Sequence, residues 1–417
     1  MQSYVVWRTM GQARSNSGPS NPWKTQGFSL LRAFRLLAVV IFLFGCASST
    51  VAAQTETRRG PALDAETVPA QPGTVFVHTA LGGFILGYDI DQTGTEGLLS
   101  ESLTLPDGKN TVAVESFDQR TGEILKIVSQ QTDTKNDFVT LGVSGQSTGL
   151  IEFEHVSGIF VDKRLYASIH PLNANKFTGM WTPPLTKTDI IEDVAENQAT
   201  LTTAVLAFDN SGSFNTFVFS SNVAADTFGP LITVTDPVFA FNDSPVLAYD
   251  SATNQAVLGA SNGCPNCSPA IGLVDLATGA QNEFAGLGFG FINGIAVDPG
   301  TGIACTTTEI DFSVEFYDLA SQTGIIVPIP GATSQAQSGQ AVAFDPIHKL
   351  FLVGQEFSST ARGGSSIQVF DERGNYVESI NGLSLPASPA LMALHPSLRA
   401  GYVIVTPALT SLQSFTY

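Results

Sequence analysis

Six aspartates recur along the chain at similar intervals and could together supply a set of carboxylates for binding a cation. They are Asp118, Asp162, Asp209, Asp250, Asp298 and Asp345. Each ends a short apolar run, as in Asn293-Gly-Ile-Ala-Val-Asp-Pro-Gly300. An aspartate at such a place accepts hydrogen bonds from backbone N–H groups and begins a type I turn, often with proline next. The pattern therefore favours a structural role in turns over a ring of cation ligands.

Two further motifs contain residues that could carry chemistry. Cys264-Pro-Asn-Cys267 lies in a predicted loop and, in an exported chain, predicts a local disulfide, with free thiols and a metal or redox site as alternatives. Gly259-Ala-Ser-Asn-Gly263 matches the G-x-S-x-G nucleophile pattern, but that pattern requires a strand-to-helix turn and the surrounding residues predict a β-hairpin. Cys305 is predicted to be a buried thiol in a strand. The five histidines have no metal-binding spacing, and the sequence assigns no catalytic residue.

The apolar runs recur with the period of a propeller blade. With His395 as a seventh end position, the intervals are 44, 47, 41, 48, 47 and 50 residues, and a four-stranded blade takes roughly 40 to 50 residues. Taking each run as an innermost strand predicts an all-β, seven-bladed β-propeller over residues 74–417, with eight or six blades as alternatives. One segment, Ile190–Gln198, is a candidate short helix in an insertion.

The two ends of the repeat region differ from a complete blade. The last complete repeat has predicted strands at 341–345, 348–354, 366–371 and 375–380, whereas 391–417 supplies three strands and no fourth. The N-terminal piece has strands at 75–77 and 84–89 but no recognisable innermost strand. Because an unpaired strand edge is a liability, propellers close by letting one terminus complete the blade of the other, and we expect that closure here.

Residues 1–53 have the features of an export signal. Arg32 and Arg35 precede the apolar run 36–45, and the small residues Val51-Ala-Ala53 follow as a cleavage site. Leu43-Phe-Gly-Cys46 also resembles a lipoprotein box, so a lipid anchor at Cys46 is an alternative, as is an uncleaved anchor. Residues 54–73 are predicted to be a flexible linker. The sequence thus predicts an exported protein, periplasmic or secreted.

The charge of the chain restricts its partners. Residues 1–53 contain five of the 19 basic residues and none of the 37 acidic residues, so the remainder has a net charge of −23. Such a surface repels nucleic acid and anionic lipid and favours cationic partners. A general adaptation for solubility is the simpler interpretation. We expect a monomer without nucleic-acid binding, with the membrane reached only through an anchor.

Two motifs resemble known repeat families. Gly294-Ile-Ala-Val-Asp-Pro299 and Ser366-Ile-Gln-Val-Phe-Asp-Glu-Arg-Gly374 resemble the two ends of an NHL-type repeat, and the strand pairs resemble secreted YVTN-type propellers. The Gly-His and Trp-Asp marks of WD repeats are absent. A more distant likeness to gluconolactonase-like propellers implies a divalent cation, calcium or zinc, in the central channel. Asp243, Asn293 and Glu309 are weak candidates for its oxygen ligands.

The predicted fold indicates where a ligand would bind. The chain enters the central channel just before each innermost strand, and the loops between second and third strands lie at the same mouth. The candidate ligand-binding residues are Asn110, His155, Asp243, Asn293, Gln340, Glu309, Asp311 and Glu356. The sequence therefore predicts a non-catalytic binding or scaffold module for a protein, glycan or small ligand. The alternative is a metal-dependent, lactonase-like hydrolase.

Overall fold

The structure is a computed structural model that describes part of the chain. It covers residues 75–417 except 93, 107–109, 135–136, 145–147, 158–159, 170–183, 187, 210–214, 223–224, 226, 240–244, 261–268, 289–291, 309–312, 331–338, 356–365, 382, 384–386 and 406–410. The predicted export signal, its cleavage site, Cys46 and the linker 54–73 lie outside this part. Within it, no helix is long and apolar enough to cross a membrane.

Six antiparallel sheets of at least four strands form the blades, numbered here from the N-terminal side. Blade I consists of β2 (Phe84–Ile90), β3 (Glu96–Thr104), β4 (Asn110–Asp118) and β5 (Ile124–Thr134). Blade II consists of β9 (Asp189–Asn197), β10 (Thr202–Asp209), β11 (Thr216–Asn222), β12 (Thr227–Phe228) and β13 (Ile232–Val234), the last also paired with β11. Blade III consists of β14 (Val246–Asp250), β15 (Gln255–Ala260), β16 (Ala270–Asp275) and β17 (Gln281–Ala285).

The C-terminal half repeats the same order. Blade IV consists of β18 (Ile292–Asp298), β19 (Ile303–Thr308), β20 (Ser313–Asp318) and β21 (Thr323–Pro328). Blade V consists of β22 (Gly339–Asp345), β23 (Leu350–Gln355), β24 (Ser366–Asp371) and β25 (Tyr376–Ile380). Blade VI consists of β26 (Ala387–His395), β27 (Ala400–Val405), β28 (Ser411–Thr416) and, as its outer strand, β1 (Val75–His78). The predicted closure of the last blade by the N-terminal strand is therefore confirmed.

A three-stranded sheet completes the ring. It consists of β6 (Asp137–Ser144), β7 (Thr148–Ser157) and β8 (Phe160–Ile169), and β6 contacts both β2 and β9. The innermost strands follow one another around the ring as β2, β6, β9, β14, β18, β22 and β26, and β26 contacts β2. The structure is thus a six-bladed β-propeller with an additional three-stranded sheet between blades I and II. The prediction of seven blades is wrong, because this sheet has three strands among the described residues, whereas six sheets have at least four.

The error came from three of the seven apolar runs. The runs ending at Asp250, Asp298, Asp345 and His395 are innermost strands, as predicted. The run ending at Asp118 is the third strand of blade I, and the run ending at Asp209 is the second strand of blade II. Asp162 lies in β8, the last strand of the three-stranded sheet. The segment predicted as a helix, residues 190–198, instead supplies β9, the innermost strand of blade II, because pairing with β10 overrides its local pattern.

The core lies between neighbouring blades rather than inside a single sheet. Phe316 of blade IV packs edge-to-face against Phe351 and Phe370 of blade V, with ring centroids 5.6 and 5.9 Å apart. Buried Cys305 belongs to the same cluster, which confirms the prediction of a buried thiol in a strand. Each blade therefore depends on its neighbours to bury its apolar faces.

The repeated aspartates that end innermost strands form the predicted turns. The Asp298 carboxylate accepts a hydrogen bond from the Gly300 backbone N–H at 2.8 Å, and the Asp345 carboxylate accepts one from the Ile347 N–H at 2.8 Å. The Asp298 carboxylate also binds the Lys349 ammonium of blade V at 3.0 Å. These aspartates therefore shape turns and join blades, so the structural interpretation of Asp298 and Asp345 is confirmed.

Candidate functional site

Two predicted ligand-binding residues occupy equivalent places in adjacent blades. Asn293 is the extra residue of a β-bulge between Ile292 and Gly294 of β18, and Gln340 is the extra residue between Gly339 and Ala341 of β22. A bulge turns one side chain away from the regular alternation of the strand. Both residues lie near the start of an innermost strand, and their role in ligand binding stays a prediction.

These bulges define one face of the ring. Because neighbouring strands are antiparallel, the start of β18, the end of β19 at Thr308 and the start of β20 lie at one edge of blade IV. The start of β22 and the end of β23 at Gln355 occupy the same edge of blade V. We call the side of the ring that holds Asn293, Gln340, Thr308 and Gln355 the loop face.

The other predicted site residues have different outcomes. Asn110 begins β4, the third strand of blade I, and His155 lies in β7 of the three-stranded sheet. Neither precedes an innermost strand, so their predicted place in the ring is wrong. Asp243, Glu309, Asp311, Glu356 and the Cys264–Cys267 pair lie outside the described residues and stay predictions. The described residues contain no group of three or more His, Cys, Asp or Glu side chains that could hold a metal ion.

A buried polar layer lies behind the bulges, at matching positions of three blades. In the second strands its members are Glu101, Thr308 and Gln355, each paired with the residue just before a bulge. In the third strands its members are Glu115, Glu315 and Gln368. All six side chains are buried. Since buried polar groups are costly without partners, the hydrogen bonds made within this layer matter for the stability of each blade.

In blades IV and V, hydroxyl and amide groups satisfy Glu315 and Gln368, whereas the buried Thr308 hydroxyl has no hydrogen-bond partner among the described residues. The Glu315 carboxylate accepts hydrogen bonds from the Thr306 hydroxyl at 2.9 Å and the Ser313 hydroxyl at 3.3 Å. The Gln368 amide donates to Gln355 Oε1 at 3.0 Å and to Ser366 Oγ at 2.9 Å. These networks connect the second and third strands directly behind the bulges. A satisfied buried network rigidifies its surroundings, so Asn293 and Gln340 are held by a stiff support.

Blade I carries two carboxyl groups in the same layer. The Glu115 carboxyl accepts a hydrogen bond from the Ala80 N–H, at 3.2 Å to Oε1 and 3.0 Å to Oε2. The Glu101 carboxyl accepts from the Leu81 and Gly83 N–H groups, each at 2.9 Å. Burial, and then a hydrogen bond from one carboxyl to the other, raise the pKa of Glu115 to about 8. This pair holds the connection between β1 and β2.

Sequence reasoning missed this layer, although the sequence contains a signal for it. Glu115, Glu315 and Gln368 each stand three residues before an aspartate that ends a third strand, namely Asp118, Asp318 and Asp371. A polar residue repeated at one position of an otherwise apolar strand predicts a functional or pairing role for that position. The signal is recognisable only when third strands are aligned with one another.

A cleft between blades II and III holds a second pair of acids. It has a volume of about 230 Å³ and is lined by apolar Phe239, Leu258 and Leu273 together with Asp236 and Glu283. A hydrogen bond to the Asp236 carboxylate, and then burial, raise the pKa of Glu283 to about 7, while the same bond lowers the pKa of Asp236. The acid whose pKa is raised, Glu283, is therefore the donor of this pair.

Comparison with solved structures supports the class of fold. The chain is similar to a WD40-type propeller chain in the "Crystal Structure of Mitotic Checkpoint Complex", with a TM-score of 0.57 and 10% identity over 89% of this chain and 99% of that chain. At this identity the likeness shows the fold alone. No family model matches the chain, and no curated protein matches it. The protein is thus a β-propeller, and the resemblance to NHL, YVTN or gluconolactonase-like families is not confirmed.

Proposed function

We propose that this chain is an exported, non-catalytic binding scaffold whose loop face, in blades IV and V, binds a protein partner through a basic segment. The observation that carries the proposal is the repeated β-bulge, which sets Asn293 and Gln340 at equivalent places in adjacent innermost strands. By sequence both residues carry amide side chains, a type that provides both donors and acceptors. They suit the polar backbone of an extended segment.

Rigid support favours binding at this place. The buried networks around Glu315 and Gln368 lie directly behind the bulges. A close approach of β18 to β22 adds to this support, because a Cβ atom on Gly294 would lie 2.9 Å from the Val342 nitrogen. A preformed surface loses little conformational entropy on binding, so this part of the ring suits recognition better than a flexible surface.

Charge favours a basic partner. The full chain has a net charge of −18, and removal of residues 1–53 would leave −23. By sequence, Glu309 and Asp311 follow the last residue of β19, and Glu356 follows the last residue of β23. These acids remain predicted contributors. An acidic protein attracts cationic partners and accelerates their association at low salt.

Fluorescence anisotropy with a labelled lysine–serine peptide tests the proposal, with a glutamate–serine peptide of equal length as the comparison probe. We expect the basic peptide to bind and the acidic peptide not to bind. The double variant Asn293→Ala, Gln340→Ala should weaken binding by about tenfold, as expected for loss of one or two hydrogen bonds. The matched control is Asn282→Ala, because Asn282 is an exposed amide on β17, an outer strand.

Two outcomes would overturn the proposal. One is equal binding of the basic and the acidic peptide. The other is equal loss of affinity in the double variant and in Asn282→Ala. Calorimetric titration with calcium and with zinc examines the metal-dependent hydrolase, since heat that disappears in Asn293→Ala would favour that alternative instead.

A further inference from the structure

The connection that closes the ring is short and tightly seated. Residues Thr79–Gly83 join β1, the outer strand of blade VI, to β2, the innermost strand of blade I. β1 pairs with β28, with Val77 opposite Leu412 and His78 opposite Ser411. The first and last blades are therefore joined through this connection, and its release would free β1 from the C-terminal blade.

Two buried carboxyl groups hold the connection. Glu115 and Glu101 are both 0% exposed, and together they accept from the N–H groups of Ala80, Leu81 and Gly83 at 2.9 to 3.2 Å. A Cβ atom on Gly83 would lie 2.6 Å from the Ser102 carbonyl oxygen, so the backbone approaches β3 closely there. We call this arrangement of Glu101, Glu115 and residues 79–83 the seat. It leaves no room for a side chain at position 83.

One proton is shared within this seat. Glu101 and Glu115 are both fully buried and accept from the N–H groups of two consecutive residues, Leu81 and Ala80, so the two carboxyl groups lie side by side. Two carboxylates this close and without water strongly disfavour a double charge, so one of the two groups carries a proton. The pair then presents a single negative charge to the backbone N–H donors. Loss of that proton would leave two carboxylates in contact without exposure to water, an arrangement that strongly disfavours ionisation of the second group.

The other titratable groups on the elements packed around Glu101 and Glu115 interact with different partners. The charges that affect Glu96 are those of Lys126, Asp118 and Asp91, so these four groups interact with one another. On β2, Tyr88 donates to the Tyr402 carbonyl, and the Asp89 carboxylate accepts from Ile90 N–H. On neighbouring blade VI, His395 bonds the Gly94 carbonyl and His78 bonds the Ser411 hydroxyl. By sequence, Asp137 is the titratable residue of β6. The one charged group that affects the pKa of Glu115 is Glu101.

We propose that Glu101 and Glu115 form a pH-operated latch on the ring closure. With one shared proton, the pair holds Thr79–Gly83 and keeps β1 on β28. When that proton is lost, the repulsion between the two buried carboxylates releases the connection and loosens β1. The latch is tight in acid and weak in alkali.

The sign and the range follow from linkage. The pKa of Glu115 is about 8 with the connection seated, against an ordinary value of 4.5. Burial is the largest cause and outweighs the Ala80 N–H bond, which lowers the pKa, so release of the connection, by admitting water, should bring the pKa down toward the ordinary value. Between the released and the seated values the seated state binds up to one proton more, so the opening constant rises by up to tenfold for each pH unit. Above the upper value both states have lost the proton, and the opening constant becomes constant.

Hydrogen exchange of the full chain, measured by mass spectrometry, tests the latch. Protection factors of the amides in residues 75–83, corrected for intrinsic exchange, should fall by up to tenfold per unit from about pH 5 to about pH 8 and then level off. Glu115→Gln should remove this slope. The matched control is Glu315→Gln, which changes the equivalent residue of blade IV and should leave the slope in residues 75–83 unchanged.

A second variant keeps the test decisive if Glu115→Gln does not fold. Glu101→Gln removes the carboxyl whose hydrogen bond and charge raise the pKa of Glu115, so the levelling point should move to lower pH. Protection that does not depend on pH in the unmodified protein would overturn the proposal. An unchanged slope in Glu115→Gln, or an unchanged levelling point in Glu101→Gln, would also overturn it.

Discussion

Replacement of Asp345 by alanine should destabilise the ring far more than the same change at another turn aspartate. Asp345 is fully buried at the end of β22. Its Oδ1 accepts from the N–H groups of Ile347 at 2.8 Å and His348 at 3.0 Å. Its Oδ2 lies 2.7 Å from the His348 ring nitrogen and accepts from the Tyr417 hydroxyl at 2.9 Å. Tyr417 is the final residue and belongs to blade VI, so this carboxylate joins two blades.

The magnitude follows from these contacts. Loss of the two backbone bonds in the turn resembles loss of a helix cap and costs about 1 kcal/mol. Loss of the charged acceptor for the Tyr417 hydroxyl and the His348 ring adds roughly 2 to 3 kcal/mol, because hydrogen bonds to buried charged groups are stronger than neutral ones. We therefore expect Asp345→Ala to lower the free energy of unfolding by about 3 to 4 kcal/mol.

Asp371 of the same blade is the matched control. Its carboxylate accepts from Arg373 N–H at 2.9 Å and from Asn375 N–H at 2.8 Å, but these bonds are exposed to solvent. Asp371→Ala should cost about 1 kcal/mol. Urea denaturation, followed by far-ultraviolet circular dichroism, measures the free energy of unfolding of both variants. Equal costs for Asp345→Ala and Asp371→Ala would refute the reasoning.

A double-mutant cycle with Tyr417→Phe isolates the contact between the blades. Burial, and then the charge of Asp345, raise the pKa of Tyr417, so the hydroxyl stays a donor throughout the accessible pH range. The coupling energy between Asp345→Ala and Tyr417→Phe should be about 1 to 2 kcal/mol. A coupling energy of zero would show that the hydroxyl contributes nothing to the joining of blades V and VI.

Three further predictions concern single contacts. Gly294→Ala should lower the free energy of unfolding by about 1 to 3 kcal/mol in urea denaturation, because the new Cβ atom would clash with the backbone of β22. Gly300→Ala should lower it less, because its Cβ atom would meet the flexible end of Lys349. A larger loss for Gly300→Ala than for Gly294→Ala would contradict this reasoning. Tyr317→Phe removes the hydroxyl that accepts from the Leu287 N–H at 2.7 Å. The free energy of unfolding measured by calorimetry should fall by about 1 to 2 kcal/mol. An unchanged free energy of unfolding would show that this hydrogen bond does not stabilise the fold. Burial lowers the pKa of His395, so the folded state binds fewer protons there, and stability should fall as the pH drops below about 6.5. His395→Gln should weaken that dependence in urea titrations at several pH values, and an unaltered profile would exclude the histidine as its source.

The repeat predicted the fold class but misplaced some strands within the blades. Asp250, Asp298 and Asp345 end innermost strands, whereas Asp118, Asp318 and Asp371 end third strands. Both kinds of turn lie at the same edge of a blade, and both use an aspartate that accepts backbone N–H bonds, as Asp318 does from Ala320. An apolar run followed by aspartate therefore does not distinguish the first strand of a blade from the third. That ambiguity explains why the run ending at Asp118, in a third strand, was predicted to be an innermost strand.

Some features of the candidate site could also be predicted from the sequence, and others could not. The sequence alone determined an all-β repeat, the turn aspartates, the polar residues Asn293 and Gln340, and the completion of the last blade by the first strand, because each depends on local pattern or on an unpaired edge. Only the tertiary structure decided that Asn293 and Gln340 occupy matching bulges, and that the buried carboxyl groups of Glu101 and Glu115 lie together beneath the closing connection. Register and contacts between distant strands set both arrangements, and neither is encoded in the spacing of residues along one strand.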